Sequence, residues 1–292
     1  AGVDVSVIAL PYFLNIPAAE AAKAAGVHYF DLTEDVDVAC RIRDLADGAD
    51  TLFVPQCGLA PGFISIVASH LVKGFDEPHD VRLRVGALPQ FPDNSLKYNL
   101  TWSIEGLINE YCNTCEAIYD GERRQLVPLE GLEHFSLDGV DYEAFSTSGG
   151  IGTLCETLEG KVRNLNYKTV RYPGHRDMIW LLVRDLKLGE HREMFKEIIE
   201  FGIPSTRQDV VLIFVTVTGM RDGALTQESY ARKIYGDNDE DGQSAIQKTT
   251  AAGVCAMVDM HREGKLPASG FVRQEDVDYK AFIANRFGSV YA

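Results

Sequence analysis

The run Arg171-Tyr172-Pro173-Gly174-His175-Arg176 concentrates side chains that can hold a carboxylate and move a proton. A guanidinium presents a fork of N–H donors that matches a carboxylate, so Arg171 is a candidate carboxylate anchor. The imidazole of His175, with an ordinary pKa of about 6.5, suits proton transfer at neutral pH. A surface turn with a capping histidine is the alternative interpretation, which the Pro-Gly pair alone would support.

A second candidate turn, Leu10-Pro11-Tyr12, follows the first predicted strand. Residues 3–10 form an apolar run with β-branched side chains, which is typical of a strand buried on both faces. In an open parallel sheet, ligands bind beyond the carboxyl ends of the strands. The turn is therefore a candidate cofactor contact, with Tyr12 on the substrate side. A rigid strand-to-helix turn is the alternative.

Asp31 lies near the end of the second predicted strand, at the same sheet edge as Tyr12. A carboxylate at this edge is a candidate for contacting the cofactor and for binding or deprotonating an amine. Helix capping is the other role open to acidic and hydroxyl residues here. We assign that role to Thr33 or Asp35, which precede a helix predicted from Val36.

The sharpest local motif is Cys57-Gly58-Leu59-Ala60-Pro61-Gly62, after the third predicted strand. Gly58 permits a backbone conformation denied to residues with a Cβ, and Pro61 suits a helix start whose free N–H groups accept an anionic or carbonyl group. Gly58, Pro61 and Gly62 are therefore candidate cofactor contacts. Cys57 is predicted to be a small buried residue, because a nucleophilic thiol needs a lowered pKa and a base.

No metal site is predicted. Cys112 and Cys115 form a Cys-x-x-Cys pair, but a structural zinc site needs four ligands and no second pair has fitting spacing. The acidic turn 236–242 lacks the ordered ligands of a calcium loop. We expect two ordinary thiols on a helical turn, and a solvated loop at 236–242.

The periodicity of the chain predicts the scaffold that positions these candidates. Up to residue 75, strands alternate with short helices, which indicates parallel strands joined by helical crossovers. The predicted strands are 3–10, 27–32 and 51–54, and the predicted helices are 16–25, 36–46 and 61–72.

From residue 79 the pattern changes to short alternating runs broken by turns, which is typical of an antiparallel sheet. Strands are predicted at 81–86, 96–102, 117–119, 124–128, 140–147 and 209–219, and helices at 151–159, 178–186, 192–201 and 244–262. The fold class is α/β plus α+β. Residues 1–78 form a truncated Rossmann-type parallel sheet, 79–243 a mixed, largely antiparallel substrate and dimerisation domain, and 244–292 a helical segment that packs back on the first domain.

Composition excludes several classes of protein. The 292 residues are 46% hydrophobic, and 43 acidic against 28 basic residues give a net charge of -15, which disfavours nucleic acid and anionic membranes. Six scattered cysteines and the lack of an export signal or a long apolar stretch predict a reduced, cytoplasmic protein. A small-molecule substrate is favoured.

A dinucleotide-binding fold has two βαβαβ halves, and its glycine fingerprint lies in the first. No such fingerprint follows a strand near the start of this sequence. The run GIGTLC at 150–155 lacks the third small residue and is interpreted as structural. Residues 3–72 match the second half alone, so we expect a chain that begins in mid-fold and by itself binds NAD weakly or not at all.

Five stretches support a family resemblance: VSVIALPYFLNIPAAEAA, HYFDLTED, LFVPQCGLAPGFISIVASHL, VGALPQFPDNSLKYNLTWSIEGLINEY and VRYPGHRDMIWLL. Together they resemble the saccharopine dehydrogenase-like family over residues 3–190, and more weakly over the rest. Within that family, the Ala-Pro-Gly and Arg-Tyr-Pro-Gly-His stretches look closest to lysine 6-dehydrogenases.

The resemblance implies an NAD-dependent oxidoreductase, with NADP not excluded, that oxidises the ε-amine of L-lysine as a homodimer joined through sheet edges of the second domain. It implies that Tyr98 and Trp102 form a wall of the substrate pocket and that Leu10-Pro11-Tyr12 contacts the cofactor. Arg171 would bind the α-carboxylate, and His175 and Asp31 would handle protons.

Two alternatives follow from the same resemblance. A saccharopine dehydrogenase needs donors for more carboxylates, and related sequences carry a basic residue just after the Trp-Ser pair. Here Ile104-Glu105 follows, and an acidic group would repel a tricarboxylate. A truncated, non-catalytic relative is the other alternative.

Overall fold

A computed structural model describes residues 2–237 and 242–292, so most of the predicted loop at 236–242 lies outside the described residues. The chain divides into two compact units. The first unit comprises residues 1–74, 151–157 and 249–292, and the second comprises 75–150 and 158–248.

The strands are β1 (Val5–Ile8), β2 (His28–Asp31), β3 (Leu52–Val54), β4 (Glu77–Pro89), β5 (Cys115–Tyr119), β6 (Glu122–Leu126), β7 (Glu133–Leu137), β8 (Val140–Ser146), β9 (Asn164–Arg171), β10 (Asp209–Arg221), β11 (Ala224–Tyr235) and β12 (Gly270–Phe271). The α-helices are α1 (Asn15–Ala25), α2 (Val36–Ala46), α3 (Phe63–Val72), α4 (Ile104–Cys112), α5 (Leu154–Leu158), α6 (His175–Trp180), α7 (Arg192–Gly202), α8 (Ala245–Arg262) and α9 (Tyr279–Ala284).

The first unit contains a parallel sheet in the order β1-β2-β3-β12. The predicted βα alternation is confirmed, because α1 connects β1 to β2 and α2 connects β2 to β3 as crossovers, while α3 follows β3 and leads to β4. Gly26 ends α1 in the left-handed conformation. The Asp35 side chain begins α2 by accepting a hydrogen bond from the Val38 N–H at 2.9 Å.

This cap gives a first prediction. Asp35→Ala removes the acceptor for one N–H at the start of α2, so we expect the free energy of unfolding to fall by about 1 kcal/mol. Urea denaturation measures the change. Asp44→Ala is the matched control, because Asp44 is exposed later in the same helix. Equal losses in the two variants would contradict the capping role.

Within the described structure, the first strand is not buried on both faces as its apolar run predicts. β1 lies at an edge of the sheet, where β2 is its neighbour among the described strands. Val7 is 48% exposed and Leu10, just after the strand, is 52% exposed. An apolar run shows that the side chains favour burial. Whether both faces of the strand are covered depends on the neighbouring strands and helices, which the run itself does not specify.

Residues 151–157 belong to the first unit, although the sequence analysis placed them in the second domain. Hydroxyl hydrogen bonds hold this segment: Thr153 and Thr157 both donate to the Glu275 carboxylate, at 2.6–2.9 Å. Arg43 of α2 also pairs with Glu156 at 2.6 Å. The 249–292 segment belongs to the same unit.

The second unit is built on an eight-stranded mixed sheet in the order β11-β10-β4-β9-β5-β6, with β8 on β9 and β7 on β8. The pair β4–β9 is parallel and the other pairs are antiparallel. The predicted fold class, a parallel sheet followed by a mixed and largely antiparallel one, is therefore confirmed. Helices α4, α6 and α7 contribute to an apolar cluster that includes Tyr98, Tyr111 and Phe145.

The strand predicted at 96–102 is wrong. Asn94 turns the chain there, because its side chain donates to the Tyr98 carbonyl and accepts from the Tyr98 N–H, while Lys97 adopts a left-handed φ of 52°. Only Leu100 forms an isolated bridge, to Ser205. Local side-chain hydrogen bonds thus replace the ladder that the alternating pattern suggested.

Other boundaries differ by less. The helix predicted at 178–186 begins earlier, at His175, and continues past Trp180 as a π-helical turn over Leu181–Asp185. Cys112 ends α4 and Cys115 begins β5, so the two thiols do not share a helical turn.

None of the helices within residues 2–237 and 242–292 is both long and apolar enough to cross a membrane.

Candidate active site

In the first unit, Asp31 ends β2 and is fully buried. One carboxylate oxygen accepts the N–H groups of Thr33 at 3.0 Å and Gln56 at 2.9 Å. The other accepts the Tyr29 hydroxyl at 2.7 Å and the Asn15 amide at 3.3 Å. Burial raises the pKa of Asp31, although these hydrogen bonds oppose that rise.

The Asp31 carboxylate has no exposed surface and accepts four hydrogen bonds, so it connects the segments that donate them. Its bonds tie the end of β2 to the start of α1 and to the turn after β3. The candidate role in deprotonating an amine stays a prediction, and the geometry favours a positioning role. Tyr12, in contrast, lies half-buried in a short 3-10 turn, and its neighbours Leu10 and Pro11 are exposed.

The motif after β3 forms a closed loop. Its Gly58 and Gly62 backbones touch so closely that a Cβ on Gly62 would lie 2.0 Å from the Gly58 carbonyl oxygen. Gly62 also has a φ of 133°, which L-residues rarely adopt. The Ala60–Pro61 peptide within the loop is cis. This backbone explains the glycine at position 62. Gly58 does not have the positive φ that its predicted special conformation would need, and a Cβ there would lie 3.2 Å from the Pro61 carbonyl oxygen.

Cys57 in the same loop is buried, as predicted. Burial, with a contribution from the nearby Asp31 carboxylate, raises the pKa of its thiol well above the ordinary value. A neutral thiol is a poor nucleophile, so this environment does not favour covalent catalysis by Cys57.

Two buried polar atoms near this loop have no hydrogen-bond partner among the described residues: Ser65 Oγ and Gln274 Oε1. The Gln274 amide donates to the Pro55 carbonyl at 2.8 Å, which places it beside the turn after β3. Unsatisfied buried polar atoms are costly and commonly mark a place for water or a polar ligand group.

In the second unit, the predicted residues Arg171, His175 and Tyr98 form one buried cluster. Arg171 ends β9 and is 2% exposed, and its guanidinium lies 4.9 Å from the Tyr98 ring centroid. His175 begins α6, fully buried, 5.3 Å from the same ring and stacked on Phe145. The sequence thus identified three residues that the fold brings into contact.

The structure adds Tyr111 and Glu110, which the sequence analysis did not single out. Arg171 Nε donates to the Tyr111 hydroxyl at 3.1 Å, Nη1 to the Val170 carbonyl at 2.9 Å and Nη2 to Glu110 Oε2 at 3.4 Å. Both missed residues lie on α4, in the LINEY stretch that contributed to the family resemblance. No sequence signal connects them to a strand 60 residues away.

The hydrogen bonds of His175 define its tautomer. The Leu96 carbonyl, 2.9 Å from Nδ1, can only accept, so Nδ1 carries the proton. Arg171 has no acceptor, so Tyr111 accepts from Arg171 and donates its own proton to His175 Nε2, at 2.9 Å. Burial and the Arg171 charge lower the pKa of His175 to about 3.

His175 is therefore neutral and occupied on both nitrogens. This geometry favours a role in holding Tyr111 and Arg171 over the predicted role in proton transfer, which stays a prediction. Trp102 is half-buried and packs over Gly106, where a Cβ would lie 2.3 Å from the indole ring. Its place in a substrate wall also stays a prediction.

No group of three or more His, Cys, Asp or Glu side chains suited to a metal ion occurs in the part of the chain that the structure describes.

Comparison with known families decides what kind of chain this is. The saccharopine dehydrogenase C-terminal domain family matches residues 58–288, well over half of the sequence. The chain belongs to this saccharopine dehydrogenase family. Its candidate cluster of Arg171, His175, Tyr98, Glu110 and Tyr111 lies entirely within the matched residues.

Two solved structures are similar to this family member. Saccharopine dehydrogenase (L-Glu forming) from Saccharomyces cerevisiae is 15% identical, with a TM-score of 0.72, and the match covers 96% of this chain and 82% of that one. Homospermidine synthase from Legionella pneumophila is 14% identical, with a TM-score of 0.68, covering 99% and 74%. At such identities the likeness establishes the fold, which is the one that the family resemblance predicted.

Proposed function

We propose that this chain is an NAD(P)-dependent oxidoreductase that oxidises the ε-amine of L-lysine to 2-aminoadipate 6-semialdehyde, releasing ammonia. Membership of the saccharopine dehydrogenase family supports the reaction class. The observation that carries the substrate class is the buried Arg171, held beside aromatic rings at the end of a strand. A buried guanidinium in such a setting suits the recognition of a carboxylate.

Three of the five N–H groups of Arg171 are used within the chain. The orientation of the other two N–H groups is also fixed, because the guanidinium is planar and its contacts with Tyr111 and Val170 hold it in place. Arg171 would bind the α-carboxylate of the amino acid, while Tyr98 and Trp102 would contact its aliphatic part. His175 and Tyr111 would keep the guanidinium in place.

The first unit would hold the nicotinamide end of the cofactor. Leu10, Pro11 and Tyr12 lie in the exposed turn after β1, and Gly58, Pro61 and Gly62 shape the loop after β3. Ser65 Oγ and Gln274 Oε1, which have no hydrogen-bond partner among the described residues, would be candidate acceptors for the carboxamide N–H groups of the nicotinamide. The cofactor supplies the hydride acceptor, and the residues of this chain bind, orient and exclude water.

Saccharopine is a second candidate substrate. The acidic Glu105 was expected to repel a tricarboxylate, but it forms an ion pair with Lys196 and also accepts from the Ser103 hydroxyl. The ion pair offsets the charge of the carboxylate and lowers the pKa of Glu105. Repulsion by Glu105 is therefore weaker than the sequence alone indicates.

The test is an assay of the full-length protein with L-lysine and either NAD or NADP, following reduced nicotinamide and ammonia. The full length is needed because residues 1–292 alone are expected to bind NAD weakly or not at all. We expect the two products in equal amounts, and Arg171→Lys should lower kcat/KM by at least about a hundredfold, since lysine cannot reproduce the stacked fork. Saccharopine is assayed in parallel. An inert response to L-lysine with both cofactors would remove this substrate, and activity with saccharopine alone would select the second candidate.

A further inference from the structure

We infer that Glu110 and Arg171 act as a pair that recognises both charged groups of an α-amino acid, Glu110 binding the α-ammonium and Arg171 the α-carboxylate. This inference rests on the proposed function and deepens it. It makes the substrate a zwitterion, and it separates amino acids from simple amines and from simple carboxylates.

The first observation is the separation of the two side chains. Glu110 Oε2 lies 3.4 Å from Arg171 Nη2. Hydrogen bonds between a guanidinium and a carboxylate are ordinarily about 2.7–2.9 Å long. The two opposite charges are therefore adjacent, and a ligand that carries both an ammonium and a carboxylate group can match both of them.

The second observation is access. The Glu110 side chain is 15% exposed, whereas Arg171 is 2% exposed. The other acidic candidate, Asp31, is fully buried and holds four donors of its own. Glu110 is thus the carboxylate of the Arg171 cluster that a ligand can approach.

The third observation is that both groups are held in position. Arg171 is fixed by Tyr98, Tyr111 and Val170. Glu110 lies in α4, whose first turn is capped by Ser103, and its backbone carbonyl accepts from the Ser148 N–H at 3.1 Å. Preorganised charges bind a ligand without paying for reorganisation.

The chemistry of an α-amino acid fits this spacing. Its ammonium nitrogen and carboxylate carbon share one α-carbon and lie about 2.5 Å apart. Each charge of the zwitterion meets the opposite charge of the pair. A ligand without the ammonium group offers no partner to Glu110, and one without the carboxylate offers none to Arg171. A desolvated charge without a partner is costly.

Isothermal titration calorimetry, with and without NAD, tests the inference on three ligands. L-lysine carries both groups, 6-aminohexanoate lacks the α-ammonium, and 1,5-diaminopentane lacks the carboxylate. We expect the two analogues to bind at least about tenfold more weakly than L-lysine. In Glu110→Gln, the preference for L-lysine over 6-aminohexanoate should disappear, while the preference over 1,5-diaminopentane should persist.

Glu133→Gln is the matched control, because it also breaks an arginine–carboxylate pair of the second unit, the one with Arg84. It should leave both preferences unchanged. Thermal unfolding checks that the variants fold, and Glu110→Asp, which keeps the charge, replaces Glu110→Gln if that variant does not fold. The shorter acid should retain the preference in reduced form.

The inference is overturned if 6-aminohexanoate binds as well as L-lysine, if Glu110→Gln or Glu110→Asp keeps the full wild-type preference, or if no α-amino acid binds. Different outcomes would refute the proposed oxidation and the zwitterion site. Glu110-dependent binding of L-lysine without reduced nicotinamide would refute the oxidation and retain the zwitterion site. Oxidation of 1,5-diaminopentane in place of L-lysine would retain an amine oxidation and refute the site.

Discussion

Gly62→Ala is expected to destabilise the first unit by more than about 4 kcal/mol, or to prevent it from folding. The added methyl group would lie 2.0 Å from the Gly58 carbonyl oxygen, and the φ of 133° is closed to alanine. The atom in the way belongs to the backbone of the same loop, so no side-chain rotation relieves the overlap. Denaturant unfolding followed by circular dichroism measures the loss.

Gly26→Ala provides the comparison. Gly26 also has a positive φ, of 66°, but no atom lies within 4 Å of its virtual Cβ. We expect it to cost only about 1–2 kcal/mol, the ordinary penalty of the left-handed region. If Gly62→Ala were no more destabilising than Gly26→Ala, the close approach of the Gly58 and Gly62 backbones would not exist in the protein.

Acid is expected to weaken the second unit through His175. Because the pKa of His175 is about 3 in the folded state and ordinarily about 6.5, the unfolded chain binds a proton that the native state rejects. This contribution to stability is fully present above the unfolded pKa and is lost as pH falls toward the folded one. The loss should approach about 1.4 kcal/mol per pH unit between these two values, or about 2 kcal/mol by pH 5.

Asp31 acts in the opposite direction, because burial raises its pKa and the native state takes up that proton first. The measurement is therefore the difference in slope between the wild type and His175→Gln, from denaturant unfolding at several pH values. Even if the variant is less stable at pH 7, its stability should fall less steeply from pH 6.5 to 4. Equal slopes in the wild type and His175→Gln would contradict the prediction, because they would show that folding does not lower the pKa of His175.

The fold was largely predictable because its signals are local. The helix predicted at 36–46 has these bounds in the structure, since an acidic cap precedes it and its apolar spacing is regular. Several errors arose where a non-local or side-chain effect decided the outcome, and β7, β9 and β11 were not predicted at all. The exposure of β1 depends on which strands lie beside it, and the turn at 96–102 depends on the Asn94 side chain.

The candidate site was predictable only in part. Asp31 was identified by its place at the end of a predicted strand, and Arg171 and His175 by the residue types in their turn, but sequence does not show whether such groups are exposed or fully buried. Glu110 and Tyr111 acquire their importance when α4 packs beside the end of β9. This is a tertiary contact between residues far apart in the chain, so the spacing of residues in the sequence does not predict it.

A crystal structure of the protein with L-lysine bound tests the central claim most directly. The account predicts the α-carboxylate within hydrogen-bond distance of the Arg171 guanidinium, with Tyr111 still bridging Arg171 and His175. L-lysine bound away from Arg171, with the Arg171–Glu110 pair undisturbed, would contradict it.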